Sequence, residues 1–194
     1  DGGLYNCAVH IFNGKIIAVV PKKNITNEAS RYFLEAPNQN ENIYINGVAY
    51  PFGNKILFVS NYYHDLKIGT EINDDINLIS APSIQYAEMG ATLICNLGAT
   101  PELVGSKDYK ESLIKVNSLK LSSAYAMSNA TYSESSGEVV YSGHQLIAET
   151  GHILDICPAF NEKASSIADI DIEKVIKVRT RSKDYRRKEI PGFI

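Results

Sequence analysis

Residues 66–78 read LKIGTEINDDINL, and the character of this stretch changes at Asn73. The residues before Asn73 have the pattern of a buried strand that ends at Ile72, whereas those that follow are mostly acids and amides. Ligand sites in layered sheet proteins lie beyond the ends of strands. We therefore expect residue 73 to be the point where a strand delivers polar side chains to a functional site.

Two further predicted strands also end in polar residues. One ends at Val20-Pro21-Lys22, and the other runs into Leu97-Gly98-Ala99-Thr100. Together with Asn73, these strand ends are the three places where we expect chemistry.

The rest of the chain reads as strands interleaved with helices, which indicates a layered α/β or α+β domain. Strands are predicted at Leu4–Phe12, Lys15–Val20, Lys55–Ser60, Leu66–Ile72, Thr92–Leu97, Tyr125–Asn129, Glu138–Glu149, His152–Cys157 and Ile167–Ile172. Helices are predicted at residues 80–90, Lys107–Ser123 and Glu173–Arg181, and an irregular loop with one helical turn at Asn24–Glu41. Asn13-Gly14 and Gly151 mark hairpin turns.

The sequence also predicts which parts of two helical segments are buried or exposed. In the second helix, an apolar face is expected from Leu113, Val116, Leu119 and Leu121. The basic stretch Arg179–Lys188 is expected to be a solvated helix or tail rather than a binding patch.

Composition limits the classes of function. The 194 residues suggest one domain, and the net charge of -3 gives no reason to expect a nucleic-acid partner. The three cysteines are far apart and form no C-x-x-C pair, so a disulfide framework or zinc knuckle is not expected and a reducing cytoplasm fits. No membrane span, signal peptide or nucleotide-binding glycine motif is visible, and the start without methionine suggests a fragment.

Several motifs, in order, resemble the glutamine-amidase domain of glutamine-dependent NAD synthetase, a branch of the nitrilase (carbon–nitrogen hydrolase) superfamily. They are YNCAVHIFNGKIIAVVPK (5–22), RYF (31–33), PFGNKILF (51–58), GTEINDD (69–75), APS with AEMGATLICNLGAT (81–100), LVGSKDY (103–109) and YSGHQLIAETGHIL (141–154). The resemblance implies an α+β fold of the nitrilase type, an αββα sandwich, here as a partial domain without its N-terminal portion.

The resemblance also implies a Glu–Lys–Cys catalytic set that hydrolyses glutamine. The family lysine falls on Lys22, and a second family glutamate falls on Glu28 across a small deletion. The nucleophilic cysteine falls on Asn73, and a carboxamide cannot form a thioester. The proton-carrying glutamate of the family would lie upstream of residue 1. If the assignment is correct, Asn73 should lie within about 3 Å of the Lys22 ammonium or one water away.

Three positions carry over as substrate contacts: Asp74, Thr100 and Ser106. The family places a basic residue where Ser106 follows Gly105, and here Lys107 is displaced by one position. The expected substrate is glutamine or another small amide.

Two hypotheses remain open. The chain is either the amidase domain of a synthetase, inactive as written, or a catalytically dead scaffold or assembly module for a synthetase partner. The resemblance implies no cofactor or metal in this domain, since ATP and magnesium would belong to the synthetase domain. It also implies a homo-oligomer.

Overall fold

The computed structural model describes residues 2–162 and 165–194, whose strands form two sheets. The first sheet has the order β1-β2-β4-β3 and contains β1 (Cys7–Phe12), β2 (Lys15–Pro21), β3 (Glu41–Ile45) and β4 (Val48–Phe52). The second has the order β10-β9-β8-β7-β6-β5 and contains β5 (Phe58–Val59), β6 (Lys67–Ile72), β7 (Leu93–Gly98), β8 (Ala124–Asn129), β9 (Gln145–Glu149) and β10 (His152–Cys157). The α-helices described are α1 (Pro82–Met89), α2 (Ser106–Lys120) and α3 (Ile172–Arg181).

The six-stranded sheet gathers three strand ends at one edge. β6, β7 and β8 are parallel neighbours, whereas β5, β9 and β10 pair antiparallel. The carboxyl ends of β6, β7 and β8 therefore lie side by side, and the candidate site is at this edge.

The two faces of this sheet pack against different layers. On one face, Gly69 of β6 lies so close to α1 that an added Cβ would be 2.5 Å from the ring of Tyr86. This helix-covered core contains Tyr86, Ala87, Ile94, Ile114, Tyr125 and Leu146. On the other face, Ile72 packs against Ala8 and Val20 of the four-stranded sheet. The class is therefore α+β, as predicted: helices, six-stranded sheet and four-stranded sheet in layers.

The hairpin predictions are confirmed, and one hairpin was missed. β1–β2 and β9–β10 pair antiparallel across Asn13-Gly14 and across Gly151. The missed hairpin is β3–β4, which turns at Asn46-Gly47 with both residues at positive φ. That dipeptide carries the same turn signal as Asn13-Gly14.

Four predicted strands are wrong in extent or kind, the first because the strand predicted at Leu4–Phe12 begins at Cys7. Only Phe58–Val59 of Lys55–Ser60 pairs as a strand, and pairing in Glu138–Glu149 begins at Gln145. Residues 167–172 form no strand, although they alternate apolar and polar side chains. The amide of Ile167 donates to Asp155 Oδ2 instead, at 2.8 Å, and Asp171 caps α3 by accepting from Lys174 N.

The predictions for two helical segments are wrong in part. Of the expected apolar face, Val116 and Leu119 are exposed, whereas Leu121 is buried and Leu113 half-buried. Within α2 the buried residues are Lys110, Ile114 and Ser118. Position 110 can be polar because its ammonium is 2.8 Å from Glu102 Oε2. The basic stretch is not wholly solvated, because Arg179 is buried and donates to the carbonyls of Ser122 and Gly90.

None of the helices described combines the length and the apolar character that crossing a membrane requires.

Candidate active site

Asn73 follows β6 directly and turns the chain away from the sheet. It begins the 3-10 turn Asn73–Asn77 and has a φ of 52°. This left-handed conformation is unfavourable for most side chains, and asparagine is among the residues that tolerate it. The sequence thus places a polar side chain at a sharp turn between a buried strand and a short helix.

The side chain of Asn73 joins the ends of β6 and β7. Its Oδ1 accepts hydrogen bonds from Ala99 N and Thr100 Oγ1, both at 2.9 Å. Its Nδ2 donates to Asp74 Oδ1 at 3.4 Å. Gly98 permits the close approach of neighbouring strand ends, because an added Cβ would lie 3.2 Å from Ser128 O.

Two buried asparagines, which sequence reasoning did not select, support this turn. Asn96 Nδ2 donates to Asn73 O at 3.0 Å. Asn129 Oδ1 accepts from Thr100 N at 2.8 Å. Asn96 interrupts the apolar run of β7, which is the signal that could have identified it, whereas Asn129 ends β8 after Ser128 and carries no such signal.

Lys22 lies at the end of β2, buried among oxygen atoms. Its Nζ donates to Ile72 O and Asp75 Oδ1, each at 3.1 Å, and also to Asp74 Oδ1. Asp75 is 1% exposed and further accepts from Lys23 N at 3.0 Å and from Asn24 N at 2.9 Å. The Asp75 carboxylate, which sequence reasoning did not choose as a site residue, therefore fixes the loop after β2 to the turn after β6.

The structure thus brings the three predicted strand ends together, and Asp74 links Lys22 to Asn73. Within the described residues, Lys22 makes no direct hydrogen bond to Asn73. The two side chains meet instead at Asp74 Oδ1, to which both donate. The ammonium of Lys22 is already paired with two carboxylates.

The other predicted positions have different surroundings. Glu28 is exposed and precedes the 3-10 turn Ala29–Arg31 without capping it. Ser106 begins α2, and its hydroxyl donates to Glu102 Oε1. Lys107 is exposed and is 3.9 Å from Glu111.

A buried network of hydrogen-bonded side chains lies next to the turn that begins at Asn73. Asn96 Nδ2 lies 3.4 Å from the hydroxyl of Tyr125, and that hydroxyl donates to Glu71 Oε1. Glu71 Oε2 also accepts from Ser83 N at 3.0 Å. Burial raises the pKa of Glu71, and the hydrogen bonds from Tyr125 and Ser83 oppose this effect. This hydrogen-bond network connects the first turn of α1 to the backbone of Asn73.

Two of the three thiols, those of Cys7 and Cys95, are poor nucleophiles. Burial raises the pKa of Cys7 and the pKa of Cys95 to about 11. Cys95 lies in the middle of β7, away from the strand end. Neither thiol is ionised to a useful extent near neutral pH.

Asn73 lines two cavities. The larger, about 450 Å³, opens at the carboxyl ends of the parallel strands and is lined by residues that include Asn6, Leu97, Asn129 and Gln145. The smaller, about 50 Å³, lies toward α2 and is lined in part by Asp74, Thr100 and Lys110. Among the described residues, no cluster of three or more histidine, cysteine or acidic side chains could hold a metal ion.

Glu102 gathers three donors beside this site and predicts a pH dependence of folding. Burial alone would raise the pKa of Glu102, but hydrogen bonds from Lys110, Ser106 and Ser142 outweigh it and lower the pKa to about 2. A carboxyl group whose pKa is lower in the folded state stabilises the fold at pH values above its unfolded-state pKa. This stabilisation is lost as the pH falls through the folded-state pKa. We therefore expect Glu102 to contribute stability at neutral pH that disappears between about pH 4.5 and about pH 2.

Urea unfolding as a function of pH measures this contribution. Glu102→Gln should lower the midpoint at neutral pH and flatten its fall in acid. Glu134→Gln, at an exposed glutamate, is the control and should retain the parent profile. A parent profile in the Glu102 variant would contradict the assignment.

The two curated relatives described here are both glutamine-dependent NAD(+) synthetases. No protein-family model matches the chain. It is 30% identical to "Glutamine-dependent NAD(+) synthetase" of Mycobacterium tuberculosis over 183 residues. The matched region is 92% of this chain and 27% of the relative. The same protein of Mycobacterium leprae matches to the same extent. The chain therefore spans about a quarter of the length of these curated relatives.

Solved structures agree with the sequence relatives. The glutamine-dependent NAD(+) synthetase from Cytophaga hutchinsonii superposes with a TM-score of 0.74 at 26% identity, covering 87% of this chain and 27% of that one. A carbon–nitrogen hydrolase from Helicobacter pylori superposes with a TM-score of 0.73 at 16% identity, covering 94% and 62%. Nit3 of Saccharomyces cerevisiae, of the nitrilase superfamily, has a TM-score of 0.68 at 16% identity, covering 92% and 58%.

Proposed function

We propose that this chain, a homologue of glutamine-dependent NAD(+) synthetases with the fold of nitrilase-superfamily carbon–nitrogen hydrolases, is the glutamine-amidase domain of a synthetase of this kind. In the reaction implied by the resemblance, a cysteine thiolate attacks the side-chain amide of glutamine. Water then releases glutamate, and the ammonia serves a separate synthetase domain.

The residue at the nucleophile's position does not support that reaction. The nitrogen lone pair of a carboxamide is delocalised into its carbonyl, so Asn73 has no nucleophile comparable to a thiolate. The contacts of the side chain carry the proposal: its oxygen is held by Ala99 N and Thr100 Oγ1, each at 2.9 Å. Residue 73 acts as a structural link between two strands, and the domain does not hydrolyse glutamine.

Neighbouring groups do not replace the missing thiolate. Cys7 and Cys95 keep their protons because burial raises the pKa of each to about 11. Lys22, the candidate for oxyanion stabilisation, has its ammonium bound by Asp74, Asp75 and Ile72 O. An ammonium neutralised in this way stabilises a developing oxyanion less than an unpaired one.

The second candidate role is an assembly module for a synthetase partner, and the same contacts favour it. The side chain of Asn73 links the ends of two strands, which is a structural use of a catalytic position, and Asp75 beside it binds Lys22. In this role the domain would position or stabilise its synthetase partner. ATP and magnesium would bind the partner, and assembly into a homo-oligomer would be part of the function.

Glutamate release tests the proposal. We expect the purified chain, incubated with glutamine at neutral pH, to release no more glutamate than a boiled sample. Cys7→Ser and Cys95→Ser, tested in parallel, exclude a contribution from either thiol. Release above the boiled control that is abolished by Asn73→Ala would contradict the proposal.

Pairing with the synthetase separates the two roles. A module for assembly should raise NAD formation from ammonia by its synthetase partner without enabling the use of glutamine. An inactive amidase domain without an assembly role should leave NAD formation from ammonia unchanged, and use of glutamine in either case would contradict the proposed function.

A further inference from the structure

His10 lies on β1, where the edges of the two sheets meet. Its ring stacks on that of Phe58 in β5, with the ring centroids 3.8 Å apart and the planes 19° from parallel. β1 is an edge strand of the four-stranded sheet, and β5 is an edge strand of the six-stranded sheet. Phe58 also packs against the core formed by Ala8, Val20 and Ile72. The stacked rings therefore connect one sheet to the other.

One ring nitrogen of His10 is buried without a polar partner. Solvent does not reach its Nε2, and no group among the described residues forms a hydrogen bond with it. A neutral imidazole can leave this nitrogen as a bare acceptor, whereas the charged imidazolium carries an N–H there that has nothing to donate to. A buried charged donor is destabilised when it is left unpaired, so these surroundings favour the neutral ring. Burial accordingly lowers the pKa of His10.

The surroundings of the ring supply no charge that would compensate a proton. A cavity of about 480 Å³ beside it has walls that include Ile11, Phe12 and Val59, and the titratable residues described in its lining are His10 and Tyr62. The titratable groups on the neighbouring strands and in the loop after β5 are Cys7, Lys15, Tyr63, His64, Asp65 and Lys67. Within the described part of the chain, none of these groups binds the buried nitrogen, and none opposes the effect of burial on the pKa.

The stack itself opposes the effect of burial only in part. An imidazolium over the face of Phe58 gains a cation–π attraction. That gain is smaller than the destabilisation of a charged N–H group that is buried and unpaired. Protonation of His10 should therefore weaken the contact between the rings rather than strengthen it.

β5 is the element that responds to such a change. It consists of Phe58 and Val59, which pair with Ile68 and Lys67 of β6. No second strand pairs with β5 in the described ranges, and so short a strand depends on its side-chain contacts. The neighbouring cavity leaves room for the two rings to separate.

We propose that the stacked rings of His10 and Phe58 form an acid-sensitive switch, which holds β5 against the four-stranded sheet while His10 is neutral and releases it when His10 is protonated. In the released state the apolar walls of the cavity, among them Ile11 and Val59, become accessible to solvent. Because the released state binds the proton more strongly, the contact is intact above the ordinary pKa of 6.5 and weakens as the pH falls below it. This inference goes beyond the proposed function, since it does not involve the site at Asn73.

Hydrogen exchange of the parent chain tests the switch. The amide of Ser60, directly after β5, donates to Leu66 O at 3.0 Å and reports release of this edge. If only the released state binds the proton, the protection factor of Ser60 should fall about tenfold between pH 7.5 and pH 5.5, because the released imidazole has the ordinary pKa of 6.5. At both pH values Ser60 should be less protected than Tyr125, whose amide reports global opening.

Two variants make the result specific. His10→Phe keeps a ring that can stack on Phe58 but has no nitrogen, and the protection of Ser60 should be the same at the two pH values. His152→Phe changes an exposed histidine of β10 and should retain the tenfold loss. NMR titration of the parent chain, which needs no variant, should give His10 a pKa below 6.5.

The inference is overturned if the pKa of His10 in the parent chain is 6.5 or higher, or if the protection of Ser60 does not change with pH. A loss of protection that persists in His10→Phe would overturn it as well. Equal protection of Ser60 and Tyr125 would also contradict it, because the contact would then open only with the whole fold.

Discussion

Asp75→Asn is expected to lower the free energy of unfolding by about 3 kcal/mol, as breaking one side of a buried ion pair does. All three groups that face this carboxylate are donors: Lys22 Nζ, Lys23 N and Asn24 N, at 2.9 to 3.1 Å. An asparagine in either orientation turns its own NH₂ toward a donor and leaves the buried interaction unmade. Urea unfolding followed by circular dichroism measures the change.

Asp74→Asn is the matched control for this effect. Asp74 contacts the same ammonium, but its side chain is 29% exposed, whereas that of Asp75 is 2% exposed. Water can replace part of a lost interaction at the more exposed position, so we expect a loss of about 1 kcal/mol or less. Equal losses at the two positions would show that Asp75 does not hold the two loops together.

The second large effect is expected at Arg179 in α3. Its guanidinium donates to the carbonyls of Ser122, Gly90, Ala91 and Leu121, at the carboxyl ends of α1 and α2, and its Cζ lies 4.4 Å from the ring centroid of Tyr185. Burial lowers the pKa of Arg179. A cation here satisfies terminal carbonyls and interacts favourably with both helix dipoles.

Arg179→Ala should therefore cost about 3 kcal/mol or more of unfolding free energy, because several buried carbonyls lose their donor together. Arg181→Ala changes an exposed arginine two residues further on and should cost about 0.5 kcal/mol or less. Arg179→Lys should fall between the two, since a single ammonium cannot reach every carbonyl. Thermal and urea unfolding of the three variants measure the order, and similar stability of Arg179→Ala and the control would refute this role.

Local signals predicted most of the elements because turns and strand ends depend on nearby residues. Asn13-Gly14 determines its hairpin because both residues adopt a positive φ. The apolar run after Thr92 has the length of a buried strand. Ile167–Ile172 shows the limit of such signals. Alternation predicts a strand only if a neighbouring strand is available, and here the amide of Ile167 is taken by Asp155.

The candidate site was partly predictable for a similar reason. Strand ends that carry polar residues gave Lys22, Asn73 and Thr100. Which of these side chains would pair depended on Asp75, whose partners lie about fifty residues away in sequence. The burial of Arg179 likewise depends on carbonyls from two distant helix ends, and no local pattern records them.

Hydrogen exchange at the Ala99 amide tests the central claim, that the carboxamide of Asn73 fills the nucleophile's position by bonding across to β7. We predict slow exchange of the Ala99 amide in the parent chain. The reference is the amide of Tyr125, which lies within the β7–β8–β9 ladder and reports global opening. In Asn73→Gly, exchange at Ala99 should accelerate by about tenfold or more beyond any acceleration at Tyr125. Fast exchange at Ala99 in the parent, or equal acceleration at Ala99 and Tyr125, would contradict the claim.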